Sequence, residues 1–552
     1  MEINKRTILW IVFSVSLVLL WNEWMVSTGK QSMFSATPPA KTAPAAKAPG
    51  ADLPGAAGAP AVAGAVPGTA AVAAVKSEVV TITTDVMRVD IDTAGGVIKH
   101  LELLKFMDSV HKGKNQVLFD VNPMGTYVAQ TGLVSNNGTA LPNHTTVFTA
   151  KPGPRALDGA GQVQLVLEAV ENGVKLTKTF TFKRNDYLID MRHDITNVGT
   201  APVAPSLYLQ LQHHGNKPEG SSYFNSSYTG PTLYTPEEKY QKLQFETIEK
   251  KGHAEHANKS KDGWIAISQH YFVSAFIPPA GVEREISTAK VDTNLYAIRT
   301  VMPLGTLAPG ATITNDTKLY SGPQDENKLA KIAPGLELVK DYGHLTIIAK
   351  PIFWVIDHLH NIIGNWGWTI IAFTILIKLM FFPLSAAGFK SMARIKLVTP
   401  KMQAIRERYK DDPVKMNQAT MELYRTEKIN PLGGCLPILV QMPVFIALYW
   451  VLSASAEMRG APWIGWITDL TAPDPFYILP VLYAISMFIT TKLNPAPADP
   501  VQAKMMLFMP LAFSVMFIFF PSGLVLYWVV NNILSIAQQW VITKKFEAGK
   551  AK

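Results

Sequence analysis

The stretch that most constrains this chain is Trp366–Leu384, WGWTIIAFTILIKLMFFPL. A helix needs roughly 20 apolar residues to cross a hydrocarbon layer of about 30 Å, so this run is long enough. It carries one charge, Lys378, past its midpoint. A charge near the bilayer centre costs roughly 2.5–3.5 kcal/mol on insertion scales. Thr374 lies one turn earlier, which puts its hydroxyl on the face of the ammonium. Two readings follow. The lysine snorkels to a nearby interface, or it belongs to a polar face turned toward a water-filled cavity inside a helix bundle.

The rest of the composition agrees with a membrane protein. The chain has 552 residues, a net charge of +9 and 48% hydrophobic residues. Its mean hydropathy of +0.13 is too high for an ordinary soluble protein of this size. The apolar residues sit in an N-terminal run and in the last third. The single cysteine, Cys435, excludes an intramolecular disulfide. No Cys/His group has zinc spacing, and no Gly-Lys pair precedes Ser or Thr, so neither a metal, a nucleotide nor any other cofactor is expected.

Residues 1–30 read as a transmembrane anchor: Lys5 and Arg6 precede an apolar run from Ile8 that continues through Val26. A cleaved signal peptide is the alternative, but no small-x-small site follows. Residues 31–76, rich in Ala, Pro and Gly, read as a flexible linker. Residues 77–335 read as an all-β domain. Met87, Val89 and Ile91 alternate with polar residues, as do Val163, Leu165 and Leu167, and Leu207, Leu209 and Leu211. Asn172-Gly173 between two such runs predicts a type I′ hairpin. His213-His214 has no acidic partner by spacing and reads as structural or as surface residues. Residues 336–365 read as a connector and an amphipathic helix, apolar at Ile352, Phe353, Ile356 and Leu359. That helix lies either in the membrane interface or on the β domain.

The spans expected from hydropathy are 366–386, 433–454, 476–492, 505–521 and 522–543. With the anchor they make six, five of them clustered. Between the first two of the five lies a basic helical hairpin, 387–432, in which Asp412-Pro413 reads as an N-cap followed by Pro at the first helical position. Its basic residues include Arg394, Lys401, Arg406 and Arg408, and it has half as many acids. The loop 455–475 holds one basic residue, Arg459, whereas the loop 493–504 and the tail 544–552 lie on the side of the hairpin. Basic residues inside the cell then place both termini and the hairpin in the cytoplasm and the β domain outside. The hairpin's charge fits topology and anionic lipid, and also ribosomal RNA.

Polar residues at membrane depth are Thr374, Lys378, Gln441, Asn531, Asn532 and Ser535; no Asp or Glu joins them. Trp528, Asn532 and Ser535 make one stripe of the last helix. A transporter would usually offer a membrane carboxylate. A Ser/Lys hydrolase needs a serine within reach of a neutral lysine, and Thr374 is a poor substitute. The pattern favours a hydrophilic groove with an unpaired cation.

The stretches NWGWTIIAFTILIKLMFFPL, KINPLGGCLPILVQMPVFIALYW, DPFYILPVLY and FPSGLVLYWVVNNILS resemble the YidC-type membrane protein insertases of Gram-negative bacteria, a family shared with mitochondria and chloroplasts. The resemblance covers the whole chain. It implies six transmembrane helices, five forming a core, with a large periplasmic β-supersandwich of the sugar-mutarotase type. It implies an inner-membrane insertase and chaperone, not an enzyme, working alone or with the Sec translocon. Nascent membrane proteins, Sec subunits, the ribosome and lipids are the implied partners. By position it implies groove roles for Lys378, Thr374, Gln441, Trp528, Asn532 and Ser535. Lysine stands at 378 where many members have arginine, and Trp528 where relatives often have tyrosine.

Overall fold

The computed structural model describes residues 77–494 apart from 109, 112, 219–227, 411 and 428–435, and then residues 508, 512 and 514–548. The expected anchor, the linker and the start of the expected span at 505–521, up to 513 apart from 508 and 512, lie outside those residues.

The alternating runs build two antiparallel sheets packed face to face. One has ten strands, its central path running Val97–Met107, Gly125–Ser135, Pro205–His214, Leu295–Pro303. The other has nine, with Phe272–Ile277, Thr312–Pro323, Leu188–Asn197, Val174–Lys183 and Gln162–Glu171 in order. Leu207, Leu209 and Leu211 from the first sheet and Leu165, Leu167, Phe180 and Phe182 from the second share one core. The hairpin forms as expected: Asn172 and Gly173 both take positive φ, 47° and 76°, as a type I′ turn requires. His213 is buried, stacks on Phe245 and meets Tyr127 edge-on, a packing role. Between the sheets Lys178 is fully enclosed, and its Nζ donates to the carbonyls of Gly95 and Thr131, each at 2.7 Å.

Nine helices lie among the described residues. The first two, α1 (Phe245–Lys251) and α2 (Glu326–Ile332), belong to the β domain. Then come α3 (Thr346–Ile363), α4 (Trp366–Met380), α5 (Phe382–Arg408), α6 (Pro413–Thr426), α7 (Leu436–Ala454), α8 (Ile478–Leu493) and α9 (Ser522–Ala548). Gly364 ends α3 in the left-handed region at φ 75°, and the Asn365 side chain accepts from the Gly367 and Trp368 N–H groups to start α4. The Asp412 side chain caps α6 by accepting from the Lys415 N–H at 3.1 Å.

Two boundaries correct the sequence expectation. The run 366–386 is not one straight helix: it breaks at Phe381, and α4 and α5 meet at a bend of 67°. Pro383 has no N–H for the carbonyl four residues back, and its ring clashes with that carbonyl. The first hairpin helix therefore starts at Phe382, not after 386. At the other end α9 runs to Ala548, past 543, because no Gly or Pro interrupts it there.

Helix α3 spends its apolar stripe on other helices. Ile352, Phe353 and Ile356 share a core with Leu448, Val451 and Leu452 of α7, leaving Ile347, Trp354 and Ile362 exposed. Helix α8 buries Leu479 and Tyr483 but exposes Val481, Leu482, Ile485 and Phe488. Helices apolar on both faces fit a hydrocarbon surround. Among the described residues Ser522–Lys545 alone is long and apolar enough to cross a bilayer by itself; the bent pair α4–α5 passes together, and Val440–Ala454 and Ile478–Leu493 are apolar but shorter.

Candidate functional site: a polar cluster among four helices

Lys378 sits in the last turn of α4, half-buried, and its Nζ donates to Ser535 Oγ of α9 at 2.7 Å. The Ser535 hydroxyl in turn donates to the Asn531 carbonyl at 2.7 Å. The Asn531 side chain accepts from Gln441 Nε2 of α7 at 2.6 Å. One chain of hydrogen bonds thus links α4, α9 and α7. The break at Phe381 contributes, because it ends α4 at Met380 and so leaves the negative end of that helix beside the ammonium. A cation in the last turn of a helix gains roughly 0.3–1 kcal/mol. No carboxylate pairs with Lys378 among the described residues, and one of its N–H donors is used on Ser535.

The other expected residues fall around this chain. Asn532 turns to another side of α9 and donates to Ser486 Oγ of α8 at 3.1 Å. Thr374 is fully buried and its hydroxyl donates to the Ile370 carbonyl at 2.7 Å, so it serves its own helix and does not bond the ammonium. Trp528 lies in an aromatic cluster, edge-on to Phe445 at 5.0 Å and to Tyr483 at 6.1 Å, with Phe517 beyond. The stripe on α9 is thus divided. Its Ser522 end is packed with aromatics and bonded to the loop before α8, through the Ala472 and Leu470 carbonyls. Its other end carries the polar chain and then Gln538 and Gln539. The aromatic cluster thus lies toward the Ser522 end of α9 and the polar chain toward its other end.

Arg394, Lys401, Arg406 and Arg408 lie along α5, outside the hydrogen-bonded chain. Lys401 pairs with Glu427 at 2.6 Å, and Arg408 stands over the Tyr409 ring. Two residues of this polar cluster are not singled out as site residues by the sequence. Asn531 is visible there as a polar residue at depth, but its place as the junction is not. Ser486 is a lone serine in an apolar run, a signal too common to single out.

Residues 79–355 match the family described as YidC periplasmic domain, and residues 358–550 match the family described as 60Kd inner membrane protein. A protein of Herminiimonas arsenicoxydans named membrane protein insertase YidC is 60% identical over 570 residues, covering 99% of this chain and 99% of its own length. The chain belongs to the YidC family. A second relative of the same name, from Janthinobacterium sp. (strain Marseille), is 58% identical and covers 98% of this chain and 99% of its own. A solved structure titled as an active YidC insertase with its first transmembrane domain resolved is similar at a TM-score of 0.40 and 19% identity, over 84% of this chain and 92% of that one. Membership of the YidC family makes this a bacterial inner-membrane protein that inserts membrane proteins, and it identifies the β sandwich as its periplasmic domain.

Proposed function

We propose that this chain carries out insertion, and helps its clients fold, through the groove around Lys378. The observation that carries the reading is the cation itself. It lies near the bend of the apolar run, half-buried, joined to a serine, an asparagine and a glutamine across three helices, with no carboxylate beside it among the described residues. Six spans, with both termini and the hairpin in the cytoplasm, complete the proposed topology.

The mechanism follows from solvation. A hydrophobic client segment with a short polar flank arrives from the hairpin side. Ser535, Asn531 and Gln441 offer hydrogen bonds to the flank part-way across, which lowers the cost of desolvating it. Lys378 attracts acidic residues in that flank. The aromatic cluster around Trp528 stops water from passing through. Burial of the apolar segment in lipid, worth roughly 25 cal/mol per Å², drives the step without a nucleotide. In this reading the basic face of α5 meets anionic lipid or a ribosome, and the Sec translocon is a further partner. A photo-crosslinking residue at Ser535 or Gln441 should trap a stalled nascent membrane protein. Equal trapping from exposed Leu482 of α8 would count against the groove.

One observation favours a second reading. Ser535 lies within hydrogen-bond distance of Lys378, the contact a Ser/Lys hydrolase needs. The direction of the bonds is wrong for it: Ser535 donates to the Asn531 carbonyl and accepts from the lysine. As an insertase the chain is not an enzyme, and Ser535→Ala should leave most insertion in place. Client cleavage by the purified chain, abolished by Ser535→Ala, would establish the hydrolase instead.

A further inference from the structure

We propose that Lys340 and Glu457 are positioning residues for insertion, a pair that fixes the end of α7 nearest the β domain and through it the place of Gln441 in the groove.

Lys340 follows the short turn Leu336–Val339 that leaves the β domain. Its side chain has no exposure, and its Nζ donates to both carboxylate oxygens of Glu457, each at 3.0 Å. The ammonium also stands 3.7 Å from the centroid of the Phe353 ring of α3. Glu457 lies in the turn Ala456–Met458, directly after α7, and its neighbours Ser455, Ala456 and Met458 are buried. The Ser455 hydroxyl donates to the Val451 carbonyl at 2.6 Å, tying that turn to the last turn of α7. Three separate segments therefore meet at one ammonium: the connector, α3 and the end of α7.

The neighbouring contacts hold the same end. Gly343, at φ 64°, passes so close to the Trp450 indole of α7 that an added Cβ would come within 2.9 Å of it. Arg459 donates to the Met107 carbonyl at 2.8 Å and to Gln116 Oε1 at 2.9 Å, with its guanidinium over the Tyr271 and Phe272 rings. His270 Nε2 is 2.6 Å from the Ser453 carbonyl. This accounts for the one basic residue of the loop 455–475: it grips the β domain. Among these contacts the Lys340–Glu457 pair is the one sealed from water on the lysine side.

A buried ion pair adds little net stability over an apolar pair of the same size, but it is directional, and it fails if its groups shift. That is the property a fixed point needs. Gln441 lies about 20 Å along α7 from Ala454, at about 1.5 Å per residue. A small tilt about a loosened end is therefore enlarged at the Gln441–Asn531 bond.

The inference rests on the groove reading, and the test separates the two. Full-length chain in proteoliposomes is given increasing amounts of one single-span client, and insertion is followed by protease protection. A parent chain trapped equally from Leu482 and Ser535 would count against the groove reading alone. Glu457→Gln should lower the maximal rate several-fold, no more than removal of Gln441 itself, as misplacement of a positioned group does, with the half-saturating client concentration unchanged, since capture occurs at the hairpin end. The combined Lys340→Met and Glu457→Met chain leaves no orphaned charge. It should assemble and melt like the parent, yet show the same loss of maximal rate. Lys340→Arg, which keeps the charge, should retain at least half the rate. A Met/Met chain inserting at the parental rate would reduce the pair to ordinary packing. A Met/Met chain that fails to fold would make it a folding determinant, and that too would overturn the proposal. An unchanged maximal rate in Glu457→Gln would do the same.

Discussion

Two lysines divide the molecule. Lys178 of the β domain is closed in by the Gly95 and Thr131 carbonyls and by the Phe148 ring 4.8 Å away. Lys378 of the helical core is half-buried, at a helix end, and bonded to one serine. The first is finished by its own fold. The second is held by a single hydroxyl, and in the proposed function that group bonds a passing chain as well. The same contrast runs through both regions. The β domain places its apolar residues inside and its alternating polar residues outside. The core exposes apolar residues on α4 and α8 and keeps its polar ones inward. Such an inside-out arrangement suits a client that needs lipid for one part and hydrogen bonds for another.

If the working polar surface belongs to the core, changes there should matter most. Deleting the hairpin, 387–432, should lower client insertion by about tenfold or more, since a positioned mouth is lost; full insertion by an assembled core without it would break the comparison. Gln441→Leu removes the donor to Asn531 and should slow insertion several-fold, with the melting temperature of the chain changed little. A single hydrogen bond contributes about 0.5–1.5 kcal/mol to stability, so a collapse in melting temperature would show that Gln441 is structural. Deleting 80–320 should leave at least half of the insertion, because the Lys340–Glu457 pair and α3 remain. Complete loss with the core still folded would move the function into the β domain.

The smallest effect concerns the β domain alone. Burial pushes the His193 imidazole down to about 3 and His144 down to about 4, with the nearby Lys178 charge adding to both. Burial likewise brings Lys178 down to about 7. Each folded value lies below the unfolded one, so the unfolded chain binds more protons and stability falls as pH falls. For the histidines the loss runs from about 6.5 downward toward their folded values. For Lys178 it is complete by about 7. The β-domain transition of the full chain should therefore melt lower at pH 5 than at pH 7.5, by roughly 2–4 °C for each kcal/mol lost. Insertion measured back at pH 7.5 should be unaffected.

Much of this division is legible in the sequence because it rests on local rules. The type I′ turn at Asn172-Gly173 and the cap at Asp412 need only neighbours in the chain, and both form. The apolar period of α3 marks its buried face but not its partner. Pro383 is plain in the sequence, yet the long apolar run around it suggests continuity; the backbone at Phe381 follows the proline. Thr374 has the right spacing for Lys378 but a closer acceptor in its own helix. The remaining features join residues far apart in the chain: Gln441 with Asn531, Asn532 with Ser486, and Lys340 with Glu457. Spacing along one helix fixes which face a residue occupies, but tertiary packing decides which helix meets that face.

The central claim is that the charge of Lys378 acts on the client. The direct measurement compares insertion of one client carrying Asp in its translocated flank with the same client carrying Asn, by the parent, Lys378→Arg, Lys378→Leu and Lys378→Glu. Lys378→Arg should insert both clients, since sign and position persist. Lys378→Leu spares the bare helix an insertion cost of roughly 3 kcal/mol, yet it should insert the Asp client less well than the Asn client, by about tenfold for each 1.4 kcal/mol of lost attraction. Lys378→Glu should be worse, because it repels the same flank. Equal insertion of the two clients by Lys378→Leu, at the parental rate, would contradict the account and leave Lys378 as a lysine that merely reaches for the interface.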